Sequence, residues 1–282
     1  MTSGGKIKKG IFYILKKILL TLYVVFLAFP LLWAVSLSFK PTPEIYSGVP
    51  YIIPENPTLE HYNTVLTEQS IMQSMLNSFQ VGLISTVIVL VISMPAAYAL
   101  VRYRSVMNKF FMGWILTSQI FPVIIIMIPL YIILRMIGLT DSIMGLSLVY
   151  VVWSMPFVLW MLQGYVKGIS VELEEAAAID GATRKDIIFR IIMPLLLPAL
   201  GATALFAFIS AWNEFFFALV LMKSQELITL PVDLSRFTGM EGQARMGPLA
   251  AASIISTIPS LILFAFLQNW FAEGLMTGGV KE

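Results

Sequence analysis

Apolar residues in this chain gather into long runs separated by short polar stretches. Six runs stand out, at about 18–37, 77–101, 110–134, 142–163, 196–221 and 249–271. A hydrocarbon layer about 30 Å thick takes roughly 20 apolar helical residues to cross. In lipid, runs of this length satisfy their backbone polar groups only as helices. The pattern therefore predicts an all-α membrane protein with six transmembrane helices over residues 18–282, preceded by an N-terminal arm, residues 1–17. The first run is longer than the 7–15 residues of a secretory signal core and no small-x-small site follows it, so it reads as a span. Pro30, Pro95, Pro122, Pro129, Pro156, Pro198 and Pro259 fall within or beside the runs. Each removes a helical hydrogen bond and bends its helix. Two readings stand: ordinary tolerance of proline in membrane helices, or bends that shape a cavity opening alternately to either side.

Composition sharpens the class. Hydrophobic residues make up 58% and charged residues only 12%, against about a quarter charged in soluble domains. With no cysteine, disulfides, thiolate metal sites and cysteine nucleophiles are excluded. The distribution of charge says more than its sum. Lys6, Lys8, Lys9, Lys16, Lys17, Arg102, Arg104, Lys109, Lys167, Arg184, Lys185, Arg190 and Lys281 fall on one set of alternate connections. Lys40, Arg135, Lys223, Arg236 and Arg245 fall on the other, making thirteen against five of the 18 basic residues. The positive-inside rule puts the thirteen, and both termini, in the cytoplasm. The first outer loop, about 38–75, is rich in proline (Pro41, Pro43, Pro50, Pro54, Pro57) and glutamate (Glu44, Glu55, Glu60, Glu68). It holds the single histidine, His61, which has no second histidine with which to bind a metal.

Between the fourth and fifth runs lies "EEAAAIDGATRKDII", residues 174–188. It reads as helix, turn, helix over a segment 170–192. Ser170 is an N-cap, and Glu172 and Glu174 suit the positive end of a helix. Ala176, Ala177 and Ala178 favour helix, and Gly181 suits the left-handed residue just past its end. Thr183 with Asp186 restarts a helix as a capping-box variant. That second helix is expected to bury Ile187, Ile188, Ile191 and Ile192, and to lead to Pro194 opening the fifth span. On spacing alone, an ordinary well-capped loop competes with a small-faced helix that another surface can approach closely, with Glu175 at its rim.

The order Glu175-Ala176-Ala177, Gly181, Ile191 and Pro194 resembles the E-A-A, G, I-x-x-P signature of membrane permease subunits of binding-protein-dependent ABC importers. Met193 stands where that family often has leucine. "SLSFKPTPEIYSG", "PTLEHYNTVL", "AWNEFFFALVL" and "GPLAAASIISTIPSLILFAFLQNWFAEGLMTGGVKE", in that order, resemble the carbohydrate-uptake subfamily and its MalG-type half of the maltose importer group. The resemblance implies the MetI-like importer permease fold, with 170–192 as a cytoplasmic coupling segment. Glu175, Ala176, Ala177, Asp180, Gly181, Ile191 and Pro194 would then meet an ATPase subunit. It implies as partners a second, MalF-like permease subunit, two ATPase subunits, an extracellular sugar-binding protein and the lipid bilayer, with no nucleic acid. The cargo implied is a di- or oligosaccharide, a maltose, maltodextrin or trehalose-like α-glucoside. A permease of the same superfamily for glycerol phosphate or another small solute is the alternative.

The outer loop at 222–248, with "GMEGQARMG", reads as glycine-rich and flexible. By resemblance it enters the sugar cleft of the binding protein, while the plain reading is a linker. The tail "GLMTGGVKE" resembles a family tail that slips between the ATPase subunits, against the plain reading of a disordered end.

The chain contains no G-x-x-x-x-G-K-[ST] phosphate loop. It is therefore read as a non-catalytic subunit that binds no cofactor or metal, with ATP and Mg on the partner ATPase subunits. One carboxylate, Glu214, lies well inside a span, beside Trp212 and Asn213. A charge costs about 3 kcal/mol or more at the bilayer centre, and less toward the outer leaflet, where Glu214 falls. Polar glue between helices, a wall or outer gate of the translocation pathway, and a direct contact with cargo are the three readings. An intramembrane enzyme or proton-driven transporter would need several such groups.

Overall fold

The computed structural model describes residues 3–49, 51–67, 71–103, 105–239 and 245–279, and every regular element among them is helical. Two compact units form, one from Met1–Ser70 with Arg236–Ile255 and one from Ile71–Ser235 with Ser256–Glu282.

In the first unit α1 (Ser3–Phe39) is one helix of 37 residues, so the arm and the first apolar run are continuous. At 1.5 Å per residue it is about 55 Å long, well beyond the hydrocarbon thickness. Its apolar side chains from Phe12 to Leu32 are exposed on all sides, the pattern of a helix made for lipid or for another subunit. α2 (Thr42–Ile45) and α3 (Glu60–Thr67) follow. Lys40 is buried; its ammonium donates to the Tyr51 carbonyl and sits 4.8 Å from the Trp33 ring, an attraction between cation and aromatic face. His61 is also buried, with Nε2 2.8 Å from the Lys40 carbonyl oxygen. Gly247 lies so close that a Cβ there would run into the imidazole. The histidine is a packed core residue.

The second unit is built on α4 (Ile71–Arg102), α7 (Ile143–Gly168) and α11 (Leu197–Trp212). Val89, Met94 and Ala97 of α4, Val151, Val158, Leu159, Leu162 and Val166 of α7, and Ala199 and Ala207 of α11 share one core. Small residues let these helices touch. A Cβ on Gly82 would stand 2.9 Å from Phe208, whose ring stacks 5.7 Å from that of Trp212. A Cβ on Gly201 would overlap Trp270 of the last helix, α14 (Met246–Gly279).

The expected six spans need two corrections. Four helices are long and apolar enough to cross alone, and the count reaches six only if two bent pairs each form one span. The third run, expected as one helix over 110–134, is α5 (Val106–Ser118) and α6 (Val123–Met136), bent by 102°. Each half spans about 20 Å, too short to cross alone. Pro122 at the N-cap of α6 marks the break. The intervening Ile120 and Phe121 are apolar, which is why the run looks continuous.

The fifth run breaks as well. α8 (Val171–Ile179) and α9 (Arg184–Asp186) lead through a π-helical turn, Ile187–Ile192, to α10 (Met193–Leu195), and the chain then bends by 70° into α11. Pro194 therefore opens the three-residue α10, not the span. Pro198 sits in the first turn of α11 instead, where its missing N–H costs no helical bond. After α11 the helix stops at Asn213 and restarts as α12 (Phe216–Leu221).

Residues 222–239 correct the expectation of a flexible loop. They form a 3₁₀ turn at Gln225–Leu227, α13 (Leu230–Ser235) and a second 3₁₀ turn at Arg236–Thr238. Ser74, Asn77 and Ser78, on one face of α4, staple the stretch down. The Asn77 amide donates to the carbonyls of Glu226 (2.7 Å) and Ile228 (2.9 Å), the Leu230 N–H donates to Ser78 Oγ (2.8 Å), and Ser74 Oγ donates to Asp233 (2.9 Å). Residues 240–244, which hold most of "GMEGQARMG", and tail residues 280–282 lie outside the described residues. Helix α14 continues through Gly274 to Gly279.

Candidate functional site

The helix–turn–helix closes by the capping chemistry its sequence announces. The N–H of Glu172 donates to Ser170 Oγ at 3.2 Å. At the far end Ala182 N–H reaches the Ala177 carbonyl (2.9 Å) and Gly181 N–H the Ala178 carbonyl (3.1 Å). This is a Schellman closure, and Gly181 takes the left-handed conformation it requires, φ +87°. Thr183 and Asp186 form a full capping box. The Thr183 hydroxyl and N–H, both donating to it, hold the Asp186 carboxyl below the usual carboxylate range; slight desolvation opposes them and Arg190 nearby adds to them.

The second helix departs from expectation. Its turn Ile187–Ile192 is π-helical, bonded i to i+5. Residues five apart share a side, so Ile187 and Ile192 are buried while Ile188 and Ile191 are half-buried. Glu175, Ala176, Asp180, Gly181 and Pro194 are exposed and Ala177 is half-buried. Ile179, which sequence reasoning passed over, is 86% exposed at the tip of α8. An apolar residue bared beside a rigid turn was the signal available for it.

The second candidate cluster is split by the break in the fifth run. Trp212 is buried against Phe208, and the exposed Asn213 donates to its own helix at the Ile209 carbonyl, 2.8 Å away. Both line a cavity of about 330 Å³ with Pro231 and Ser260. Glu214 points elsewhere. Its carboxylate accepts the N–H groups of Phe217 (2.9 Å) and Ala218 (3.2 Å), the otherwise unbonded donors at the start of α12, and the hydroxyl of Tyr150 (2.7 Å). Glu214 thus caps one helix and ties it to α7, which offsets the cost of a carboxylate among apolar helices. Tyr150 carried no sequence signal beyond being a polar-tipped residue in an apolar run.

A further cavity of about 300 Å³ is lined by Gln119, Trp153, Ser154, Phe157, Phe206 and Ser210. Gln119 comes from the break between α5 and α6 and donates to the Trp153 carbonyl at 3.2 Å. The Phe157 and Phe206 rings lie 4.0 Å apart. Aromatic walls with a few polar groups are the usual make-up of a small-molecule site. Trp153, Ser154 and Phe157, neighbours on one face of α7, were its sequence signal.

The sequence model of the family described as the binding-protein-dependent transport system inner membrane component matches residues 90–277. The chain belongs to that family. Like its relatives, this permease is a multi-pass membrane protein and a non-catalytic transport subunit.

It is 37% identical to the diacetylchitobiose uptake system permease protein of Streptomyces coelicolor, over 90% of this chain and 92% of that one. Identity is 36% with the trehalose transport system permease protein of Mycobacterium tuberculosis, over 93% and 95% of the two chains. With the trehalose/maltose transport system permease protein of Thermococcus litoralis it is 34%, over 95% and 98%. A crystal structure of a bacterial ABC transporter involved in the import of the acidic polysaccharide alginate contains a chain that superimposes with a TM-score of 0.80 at 26% identity, covering 94% of this permease and 98% of that chain. Residues Glu175 to Pro194 lie inside the family match.

Proposed function

We propose that this permease forms one half of the translocation pathway of an ATP-driven importer for a di- or oligosaccharide, a maltose- or trehalose-like α-glucoside. The names of its trehalose and trehalose/maltose relatives support the substrate class. The cavity walled by Trp153, Phe157 and Phe206 supports it too, because aromatic rings stack on the apolar C–H faces of a sugar while Gln119, Ser154 and Ser210 address its hydroxyls. A MalF-like permease supplies the other half, an extracellular binding protein delivers the sugar, and two ATPase subunits holding ATP and Mg²⁺ supply the energy.

The observation that carries the coupling role is the doubly capped turn at Gly181, with Glu175, Ala176, Ile179 and Asp180 exposed around it. A helix whose both ends are closed by its own side chains and backbone is stiff, and a surface of alanine with one glutamate can be approached closely. In this reading α8 seats on an ATPase subunit in the cytoplasm, on the side where Lys167, Arg184, Lys185 and Arg190 lie. Closure of the ATPase pair on ATP moves α8 and tilts the spans from inward- to outward-facing. Shifting such a population from about 1:99 to 99:1 takes roughly 5.5 kcal/mol of differential binding. Linkage makes ATP inside and the loaded binding protein outside favour each other.

The test is Gly181→Pro, because proline cannot take φ +87°. The variant is expected to insert at the normal level, to lose maltose and trehalose uptake in proteoliposomes of the full complex, and to release the ATPase subunits. Uptake equal to that of the unaltered complex would refute the docking role.

A further inference from the structure

Helix α8 hangs from α7 by two residues, Ile169 (φ −82°, ψ 125°) and Ser170 (φ −61°, ψ 137°), both in extended backbone. At this joint the Ile169 N–H closes the end of α7 on the Val166 carbonyl (3.2 Å) and Ser170 opens α8 as its N-cap, so the hydrogen bonding of one helix does not run on into the other. Terminal residues of this kind are where hinges form. A displaced α8 would swivel there instead of moving the spans, unless something fixed its angle.

Arg102, the last residue of α4, bridges the joint. Its Nη2 donates to the carbonyl of Ile169 at 2.9 Å, on the α7 side. Its Nε meets Glu174 Oε1 at 2.6 Å, on α8. One turn earlier in α4, the Tyr98 hydroxyl donates to the other Glu174 oxygen at 2.6 Å, and the guanidinium lies 6.0 Å from the Tyr98 ring. The paired side chains are only 13% and 12% exposed, so solvent screens the pair little. Past the end of α4, Tyr103 accepts a hydrogen bond from Arg184 of α9. The end of α4 therefore grips both helices of the segment, and α4 continues into the core shared with α7 and α11.

We infer that Arg102 is a positioning residue that locks the Ile169–Ser170 hinge and makes α4 the lever carrying the displacement of α8 into the spans. The two adjacent glutamates divide the work: Glu174 is bound inward by Arg102 and Tyr98, while Glu175 faces outward. The inference rests on the reading of α8 as the element that docks on the ATPase.

The chain has no cysteine, so spin labels on Val91→Cys of α4 and Ala178→Cys of α8 report one distance in a full complex whose other subunits carry no reactive cysteine. The expected distribution is narrow and the same with and without a non-hydrolysable ATP analogue, and it broadens in Arg102→Ala. The same variant is expected to keep its ATPase subunits and lower sugar uptake per ATP hydrolysed roughly tenfold, an ordinary size for coupling between sites. Exchanging the pair, Arg102→Glu with Glu174→Arg, restores the ion pair but not the bond to Ile169, so rescue is expected to be partial.

An unaltered width with unaltered uptake per ATP in Arg102→Ala would overturn the clamp. So would a change in the unmutated distance on adding the analogue. Loss of the ATPase subunits from Arg102→Ala would also overturn it, since Arg102 would then only shape the docking surface. Failure of the docking reading itself shows separately, as a Glu175→Lys complex that keeps its ATPase subunits and its uptake.

Discussion

Glu214 and Asp141 show how single carboxylates hold the ends of broken helices. Replacing Glu214 by alanine strands the N–H groups of Phe217 and Ala218 and the hydroxyl of Tyr150. Buried unpaired donors cost about 1–3 kcal/mol. Glu214→Ala should therefore lower the melting temperature of the purified permease, and Glu214→Gln, which keeps an acceptor oxygen, should lower it less; equal losses would contradict the capping role. Asp141, in a left-handed conformation (φ 52°), accepts from the N–H groups of Lys223 and Ser224 and from Ser224 Oγ. Burial pushes its pKa up, but the Ser224 hydroxyl and the two N–H groups outweigh that and hold it below the usual carboxylate range. The folded pKa lies below the unfolded one, so the stabilisation is complete above the unfolded value and is lost as pH falls through the folded one. Below about pH 4, melting of the unaltered protein should fall more steeply than that of Asp141→Asn. At this scale the caps at Ser170, Gly181 and Thr183 were legible because each is settled within a few residues of sequence. The bond from Glu214 to Tyr150 was not, since it joins helices 64 residues apart.

Among elements, α4 organises its unit through polar residues that a hydropathy reading passes over. Ser74 falls in the expected outer loop and Asn77 and Ser78 at the very start of the second apolar run, yet they fasten residues 226–233. Asn77→Ala leaves the carbonyls of Glu226 and Ile228 without this donor, at a cost of about 1–3 kcal/mol. Hydrogen exchange should quicken over residues 226–233 and stay slow in α7; no change over 226–233 would contradict the staple. The long runs at α4, α7 and α14 were readable as spans because length and apolarity suffice to identify them. The breaks after Ser118 and Trp212 were harder to read. Gln119 and Pro122 in one case and Asn213 and Glu214 in the other mark them, but Ile120, Phe121 and Phe215 beside these are as apolar as the helices they separate, so each run keeps the hydropathy of a continuous span. The π-helical turn at Ile187–Ile192 escaped for a related reason, as its isoleucines suit an α-helical face equally well.

For the molecule as a whole, the central claim is that the knob formed by α8 and α9 faces the cytoplasm and is covered by an ATPase subunit. The bare Ile179 at its tip and the absence of cysteine from the chain make the claim directly measurable. A single Ile179→Cys can be labelled with a membrane-impermeant maleimide in intact cells, in inside-out vesicles stripped of the ATPase subunits, and in vesicles that retain them. No labelling is expected in cells, strong labelling in stripped vesicles, and protection when the ATPase subunits are present. Labelling from outside the cell, or equal labelling with and without those subunits, would contradict it.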